Sequence, residues 1–203
     1  MKYILIAVTI ILILFTLTKK ETDIQALATQ DTILAFGDSL TYGHGTAPAK
    51  SYPSLLSSLT GLKVINAGVN GETSQDGVVR LPRLLEDPSI KLMILCFGGN
   101  DILQKRSMSS LKKNLKTMIQ LAKNKKINVL LISVPNISLF GLSALALYEK
   151  IAEEENVPLV NGMLADILSN PTLKSDQIHP NALGYKQMAK KIYESLKENG
   201  WLN

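Results

Sequence analysis

Thr32-Ile33-Leu34-Ala35-Phe36-Gly37-Asp38-Ser39-Leu40 is the stretch on which the fold is read. Five residues, apolar or β-branched, run without alternation into a glycine and a short polar group. A strand with one wet face alternates in polarity, whereas a strand covered on both faces does not. Four further runs have the same character: Lys63–Ala67, Lys91–Phe97, Asn128–Val134 and Val157–Val160. Helical patterns separate them, over Pro53–Leu59 closed by Gly61, Gly77–Leu85 ending before Pro88, Ser109–Lys123, Leu142–Glu155, and Pro180–Glu198 ending near Gly200. Short connections between alternating strands and helices predict an α/β protein of three layers, with a five-stranded parallel sheet between two layers of helices.

Ligands of such sheets sit beyond the carboxyl ends of the strands, so the residues just after each run carry the functional reading. They are Gly37-Asp38-Ser39-Leu40, Gly68 with Asn70, Gly71 and Glu72, and Gly98-Gly99-Asn100-Asp101. Near the end of the chain stands a fourth polar segment, Asp176-Gln177-Ile178-His179-Pro180. One sheet edge brings all four together.

Acyl transfer by serine requires a nucleophile, a base, a group that orients the base, and donors for the oxyanion. Ser39 follows a strand end where the backbone turns and exposes Oγ; a helix N-cap is the competing reading. The chain has two histidines, His44 and His179. His44, between two glycines, reads as a flexible loop residue. His179 has Asp176 three residues before it, close enough to hold its Nδ1–H and stabilise the imidazolium. Pro180 restrains His179 toward an extended backbone and suits the first turn of the last helix. The competing reading of this motif is a capped helix start with a surface histidine. Gly71 allows a close backbone approach, and Asn100 carries a side-chain NH2, so with the Ser39 N–H they make three candidate oxyanion donors. Taken singly, each is also an ordinary turn residue. Asp38 and Asp101 read as supports that bond backbone amides, and Cys96 as a small buried hydrophobe. No further acidic or histidine cluster joins Asp38 and Asp101, so a metal is not expected.

The remaining features set the context. A chain of 203 residues is long enough for one domain with a proper core, and a single cysteine excludes an intramolecular disulfide. The net charge of +5 resides largely in Lys112, Lys113, Lys116, Lys123, Lys125 and Lys126. These alternate with an apolar stripe of Leu111, Leu115, Met118, Ile119 and Ala122, the pattern of a helix with one solvated face. Interleaved aromatics are missing, so a nucleic-acid partner is not expected. Tyr3–Thr18 is an uncharged apolar run flanked by Lys2 and by Lys19-Lys20; as a helix it spans roughly 24 Å. Residues 1–22 are therefore expected to be a signal peptide or an uncleaved anchor touching the membrane through residues 3–18. Residues 23–30 read as a linker and 31–203 as the domain, exported to the periplasm or outside the cell.

Four blocks in this order resemble the SGNH (GDSL) hydrolases: Phe36-Gly37-Asp38-Ser39-Leu40-Thr41, Asn66 to Ser74, Gly98-Gly99-Asn100-Asp101, and Asp176 to Pro180. Arg80-Leu81-Pro82 and Leu84-Leu85 are similar to the bacterial thioesterase I/lysophospholipase and arylesterase branch in particular. The resemblance implies a flavodoxin-like sheet, a Ser39–His179–Asp176 triad, and an oxyanion hole from the Ser39 amide, the Gly71 amide and the Asn100 side chain. It implies a small acyl-ester or lipid substrate and no cofactor. Ile102 and Leu103 fall where substrate loops lie in that family. The apolar stretch Pro135–Tyr148, with Ile137, Phe140 and Leu142, reads either as an acyl pocket or as the start of a helix. A carbohydrate O-acetyl esterase and an inactive binding module are the alternatives on the same fold.

Overall fold

The structure, a computed structural model, describes residues 25–138 and 141–203, and leaves out the side chains of residues 137–144. The apolar run at residues 3–18 lies outside the described residues, and with it the expected signal peptide or anchor. Among the described residues, no helix is long and apolar enough to cross a membrane.

All five apolar runs form strands of one parallel sheet: β1 (Thr32–Gly37), β2 (Lys63–Gly68), β3 (Ile90–Cys96), β4 (Asn128–Ile132) and β7 (Leu159–Val160). Their order is β2-β1-β3-β4-β7, and every neighbouring pair is parallel. Every residue of β1 is buried, and of β3 all but Lys91, which is the physical meaning of their lack of alternation. β2, at one edge, is mostly half-buried or exposed.

The helices are α1 (Ser39–Tyr42), α2 (Tyr52–Thr60), α3 (Ser74–Leu84), α4 (Gly99–Leu103), α5 (Met108–Asn124), α6 (Ala146–Glu155), α7 (Met163–Ser169) and α8 (Ala182–Glu198). On α5 the apolar stripe Leu111, Leu115, Met118, Ile119 and Ala122 is fully buried. Lys112 and Lys116 turn outward and pair with Glu154 on α6. The lysine run is thus a solvated face, as its spacing predicts.

Two expectations are corrected. The helical pattern over Leu142–Glu155 begins only at Ala146; before it, β5 (Pro135–Ser138) and β6 (Gly141–Ala144) form an antiparallel hairpin. The last helix starts at Ala182, not at Pro180. Asn181 caps it by accepting from the Leu183 and Gly184 N–H groups, and Pro180 lies before the cap, paired with Lys174. Two backbone groups of the stretch read as a linker bond residues of the domain. The Leu27 N–H donates to the Trp201 carbonyl and the Ala28 N–H to Asp31.

The sheet end that carries the polar segments is closely packed. A Cβ on Gly37 would stand 2.2 Å from Thr41 Oγ1 and 2.4 Å from the Cys96 carbonyl. Gly37→Ala should therefore cost about 3 kcal/mol and lower the thermal unfolding midpoint by roughly 6–12 °C. A midpoint within 2 °C of the parent, measured by circular dichroism, would contradict this packing.

Candidate active site

Ser39 is the first residue of α1. The helix is capped by the residue before it: Asp38 Oδ1 accepts from the Leu40 N–H at 3.0 Å. The N-cap reading of Ser39 therefore falls, because Asp38 does that work and leaves Ser39 Oγ free. Its N–H, in the first helical turn, has no intrahelical acceptor.

His179 is buried and lies across the sheet end from Ser39. Its Nε2 is 2.9 Å from Ser39 Oγ, and its Nδ1 is 2.8 Å from Asp176 Oδ2. Asp176 divides its two oxygens. Oδ1 accepts the Ile178 and His179 N–H groups, both at 2.8 Å, which locks the carboxylate and turns Oδ2 toward the ring. Partial burial pushes the Asp176 carboxyl up, but these two backbone bonds, the bond to the imidazole and its charge outweigh it and hold the group below the usual carboxylate range. With Nδ1–H donated to Asp176, Nε2 keeps its lone pair for the Ser39 hydroxyl.

Asn100, on α4, donates its side-chain NH2 to the Glu72 carbonyl at 2.9 Å and makes a longer approach of 3.5 Å to Asp38 Oδ2. Gly71, one residue before Glu72, has φ +77°. Among the described residues other than its chain neighbours, nothing lies within 4 Å of where its Cβ would be. The glycine is therefore required by its left-handed backbone, not by crowding from the protein.

Further side chains hold these loops in place. The Arg80 guanidinium bonds both carboxylate oxygens of Glu72, at 2.7 Å for Nε–Oε1. It also donates to the Ala67 carbonyl at 3.0 Å and lies 4.5 Å above the Phe36 ring. The Gly71–Glu72 turn is thereby fixed to β1 and β2. Asp101, next to Asn100, accepts from the Ser74 N–H at 2.9 Å and the Ser74 hydroxyl at 2.6 Å, and Asn114 donates to that same hydroxyl. This buried chain joins the starts of α3 and α4 and makes Asp101 the support it was read as. Tyr148, from α6, donates to the Phe97 carbonyl at 2.7 Å and braces the turn at Gly98. No local spacing pairs Ser74 with Asp101 or Asn114; the packing of α3, α4 and α5 does.

A cavity of about 240 Å3 opens between Ser39, Gly71, Asn100 and His179. Its apolar wall is built by Leu40, Ile102, Leu103, Val134, Pro135, Leu168 and Ile178. Of the expected pocket residues, Ile102 and Leu103 are there. Phe140 and the side chains of Ile137 and Leu142 lie outside the described residues. Leu168 and Ile178 are additions from α7 and from the segment before His179. His44 also lines the cavity. Its loop is held in place: Tyr185 donates to the His44 carbonyl at 2.9 Å, and a Cβ on Gly45 would overlap Ser175 Oγ. The reading of His44 as a flexible loop residue is corrected accordingly.

Residues 35–187 match the model of the GDSL-like lipase/acylhydrolase family. The chain is 32 % identical over 161 residues to thioesterase 1/protease 1/lysophospholipase L1 of Escherichia coli, covering 76 % of this chain and 77 % of that protein. It is 29 % identical over 174 residues to an arylesterase of Vibrio mimicus, covering 81 % and 87 %. The solved structure of TesA superposes with a TM-score of 0.75 at 27 % identity, over 83 % of this chain and 99 % of that one.

Asp38 is fully buried, and burial pushes its carboxyl up to about 7, helped by the charges of Asp101 and Glu72 and opposed by the Leu40 N–H. A carboxyl raised in the folded state retains its proton while the unfolded chain loses it. Its contribution to stability is thus full below the ordinary carboxylate range and declines as pH rises to about 7, by an amount on the order of 4 kcal/mol. Asp38→Asn should flatten the pH dependence of the unfolding free energy between pH 4 and 7. An unchanged slope in urea titrations across that window would contradict the assignment.

Proposed function

From the membership of this chain in the GDSL-like lipase/acylhydrolase family, whose relatives named above include a thioesterase/lysophospholipase and an arylesterase, we propose that its hydrolysis of acyl esters runs through an acyl-enzyme on Ser39. The single observation that carries this reading is the unbroken line Ser39 Oγ–His179 Nε2–His179 Nδ1–Asp176 Oδ2, with steps of 2.9 and 2.8 Å.

In this reading, His179 takes the serine proton as Oγ attacks the acyl carbon, while Asp176 stabilises the imidazolium without being protonated itself. The negative charge on the carbonyl oxygen is received by the Ser39 N–H, the Gly71 N–H and the Asn100 NH2. Each such donor is worth about 3 kcal/mol in the transition state. His179 returns the proton to the leaving alcohol, phenol or thiol. It then deprotonates a water that attacks the acyl carbon and frees Ser39. No step needs a cofactor.

The acyl chain lies along the apolar wall formed by Ile102, Leu103, Val134 and Leu168, and the leaving group faces the open side near His44. Support comes from the position of that wall beside Ser39. Residues 137–144 adjoin it in the chain. An apolar wall favours aryl and fatty acyl esters, thioesters and lysophospholipids over acetylated sugars, because each methylene buried there contributes about 0.8 kcal/mol.

The deciding experiment is a panel of chromogenic esters from acetyl to decanoyl, run with the full chain. Ser39→Ala and His179→Ala should each lose about 10³-fold or more in kcat, with the far-ultraviolet spectrum unchanged, and Ser39→Ala should not be labelled by a fluorophosphonate. The pair Ile102→Ala and Leu103→Ala should weaken decanoyl more than acetyl turnover. Near-parent hydrolysis by either of the first two variants would remove the triad, and an equal loss at all chain lengths would remove the acyl wall.

We further propose that the chain is exported and works at or beyond the membrane, with Tyr3–Thr18 as signal or anchor. The cell-derived protein should then partition to the membrane or periplasmic fraction. Recovery of the full-length chain from the cytosol would argue against export.

A further inference from the structure

We propose that His44, His179 and Asp176 form a binding site for a borderline divalent transition-metal ion such as Zn2+, and that the ion switches hydrolysis off. It is an inhibitor site, not a cofactor site. The switch rests on the triad reading above, but the binding does not.

Each of the three residues offers one ligand atom, and these atoms lie within 4.8 Å of one another. The two imidazole rings are 4.3 Å apart between centroids and tilted by 40°. His44 is held there from both sides. Gly43 and Gly45 take φ +94° and +85°, the Tyr185 hydroxyl bonds the His44 carbonyl, and Gly45 abuts Ser175 in the segment that carries Asp176 and His179. The second histidine of the chain therefore stands beside the first by construction of the backbone, at a site open to solvent through His44 and Asp176.

The donor set selects the ion. Two imidazoles and one carboxylate, with a fourth position left for water, are the ligands of a three-residue zinc site. Imidazole favours Zn2+, Cu2+ and Ni2+, whereas Mg2+ and Ca2+ prefer oxygen alone. Metal–ligand bonds of about 2.0–2.1 Å put tetrahedral ligand atoms about 3.4 Å apart. Reaching that spacing from 2.8 Å between His179 and Asp176, and from no more than 4.8 Å elsewhere, takes small rotations of side chains, two of which are exposed.

The inhibition follows from where the one proton of neutral His179 resides. In the free enzyme it is on Nδ1, donated to Asp176, and the Nε2 lone pair accepts from Ser39. A metal ion bound between His179 Nδ1 and Asp176 displaces that proton, which moves to Nε2. No proton is released and nothing is oxidised or reduced. His179 now donates toward Ser39 Oγ and has no lone pair with which to take its proton, so the nucleophile stays unactivated.

The test titrates chelator-treated full-length protein with ZnCl2 and, in parallel, MgCl2. Isothermal titration calorimetry reads binding, and turnover of a chromogenic ester reads inhibition. One Zn2+ should bind per chain and lower turnover at least 10-fold, with recovery on adding chelator, and Mg2+ should do neither. His44→Gln and His44→Phe, each compared with its own metal-free rate, should need at least 10-fold more Zn2+ for half-inhibition. Ser39→Ala should bind Zn2+ as the parent does. Undetectable Zn2+ binding by the parent, or equal inhibition of the parent and both His44 variants, would overturn the site. Hydrolysis by Ser39→Ala would strike the triad reading instead, and calorimetry keeps the two failures apart.

Discussion

The order of strands reverses between β1 and β3, and the placing of Ser39 opposite Asn100 depends on that reversal. The chain leaves β1 toward β2 on one side, then crosses back to place β3 on the other. The two loops leaving β1 and β3 therefore diverge to opposite faces and open a crevice at the carboxyl end of the sheet. Ser39 stands at the end of β1 and Asn100 just past β3, on the two sides of that crevice. Because both strands are buried on both faces, neither end has freedom to shift, and the distance between a serine and an asparagine 61 positions apart is a property of the sheet.

Placing polar groups at such a position costs free energy unless their bonds are complete. The structure meets that cost with two sets of contacts. One fastens Glu72 through Arg80 to Ala67 and Phe36. The other fastens Asp101 through Ser74 to Asn114. Between them they fix the Gly71–Glu72 turn and the start of α4. The residue left in an unfavourable state is Asp38, a buried carboxyl whose pKa is pushed up to about 7. It is retained where its cap on α1 aims the serine. Local strain and instability of this kind collect at functional positions and are offset elsewhere.

His179 reaches the site by a different route. It does not end a strand but closes the loop before α8, and its partner Asp176 belongs to the same loop. The His179–Asp176 pair is thus a local structure, set by backbone bonds within four residues, that the packing of α8 delivers to Ser39 as a unit. The same packing delivers His44, since Tyr185 on α8 holds the His44 carbonyl.

What was legible in the sequence follows from which forces are local. Unbroken apolar runs marked β1, β3 and β4, because burial on both faces writes itself directly into composition, while the edge strands β2 and β7, mostly half-buried or exposed, were marked by their Val, Ile and Leu residues. The polar segments after them marked the crevice, and the spacing of Asp176 and His179 marked the pair that forms within a single loop. The pairing of β5 with β6 was missed because a short apolar stretch fits either period, and only the antiparallel register of Pro135–Ser138 on Gly141–Ala144 separates strand from helix. Ser39 as a free hydroxyl, not a cap, depended on Asp38 taking the cap. Arg80, Ser74, Asn114 and Leu168 acquired their places from helices that meet only in the folded chain. The sequence by itself determined the sheet, the strand ends and the chemical inventory, since those depend on near neighbours. Only the tertiary structure decided which hydroxyl faces which imidazole and that a second histidine stands beside the first, because contacts across 140 residues are made by packing and leave no periodic trace.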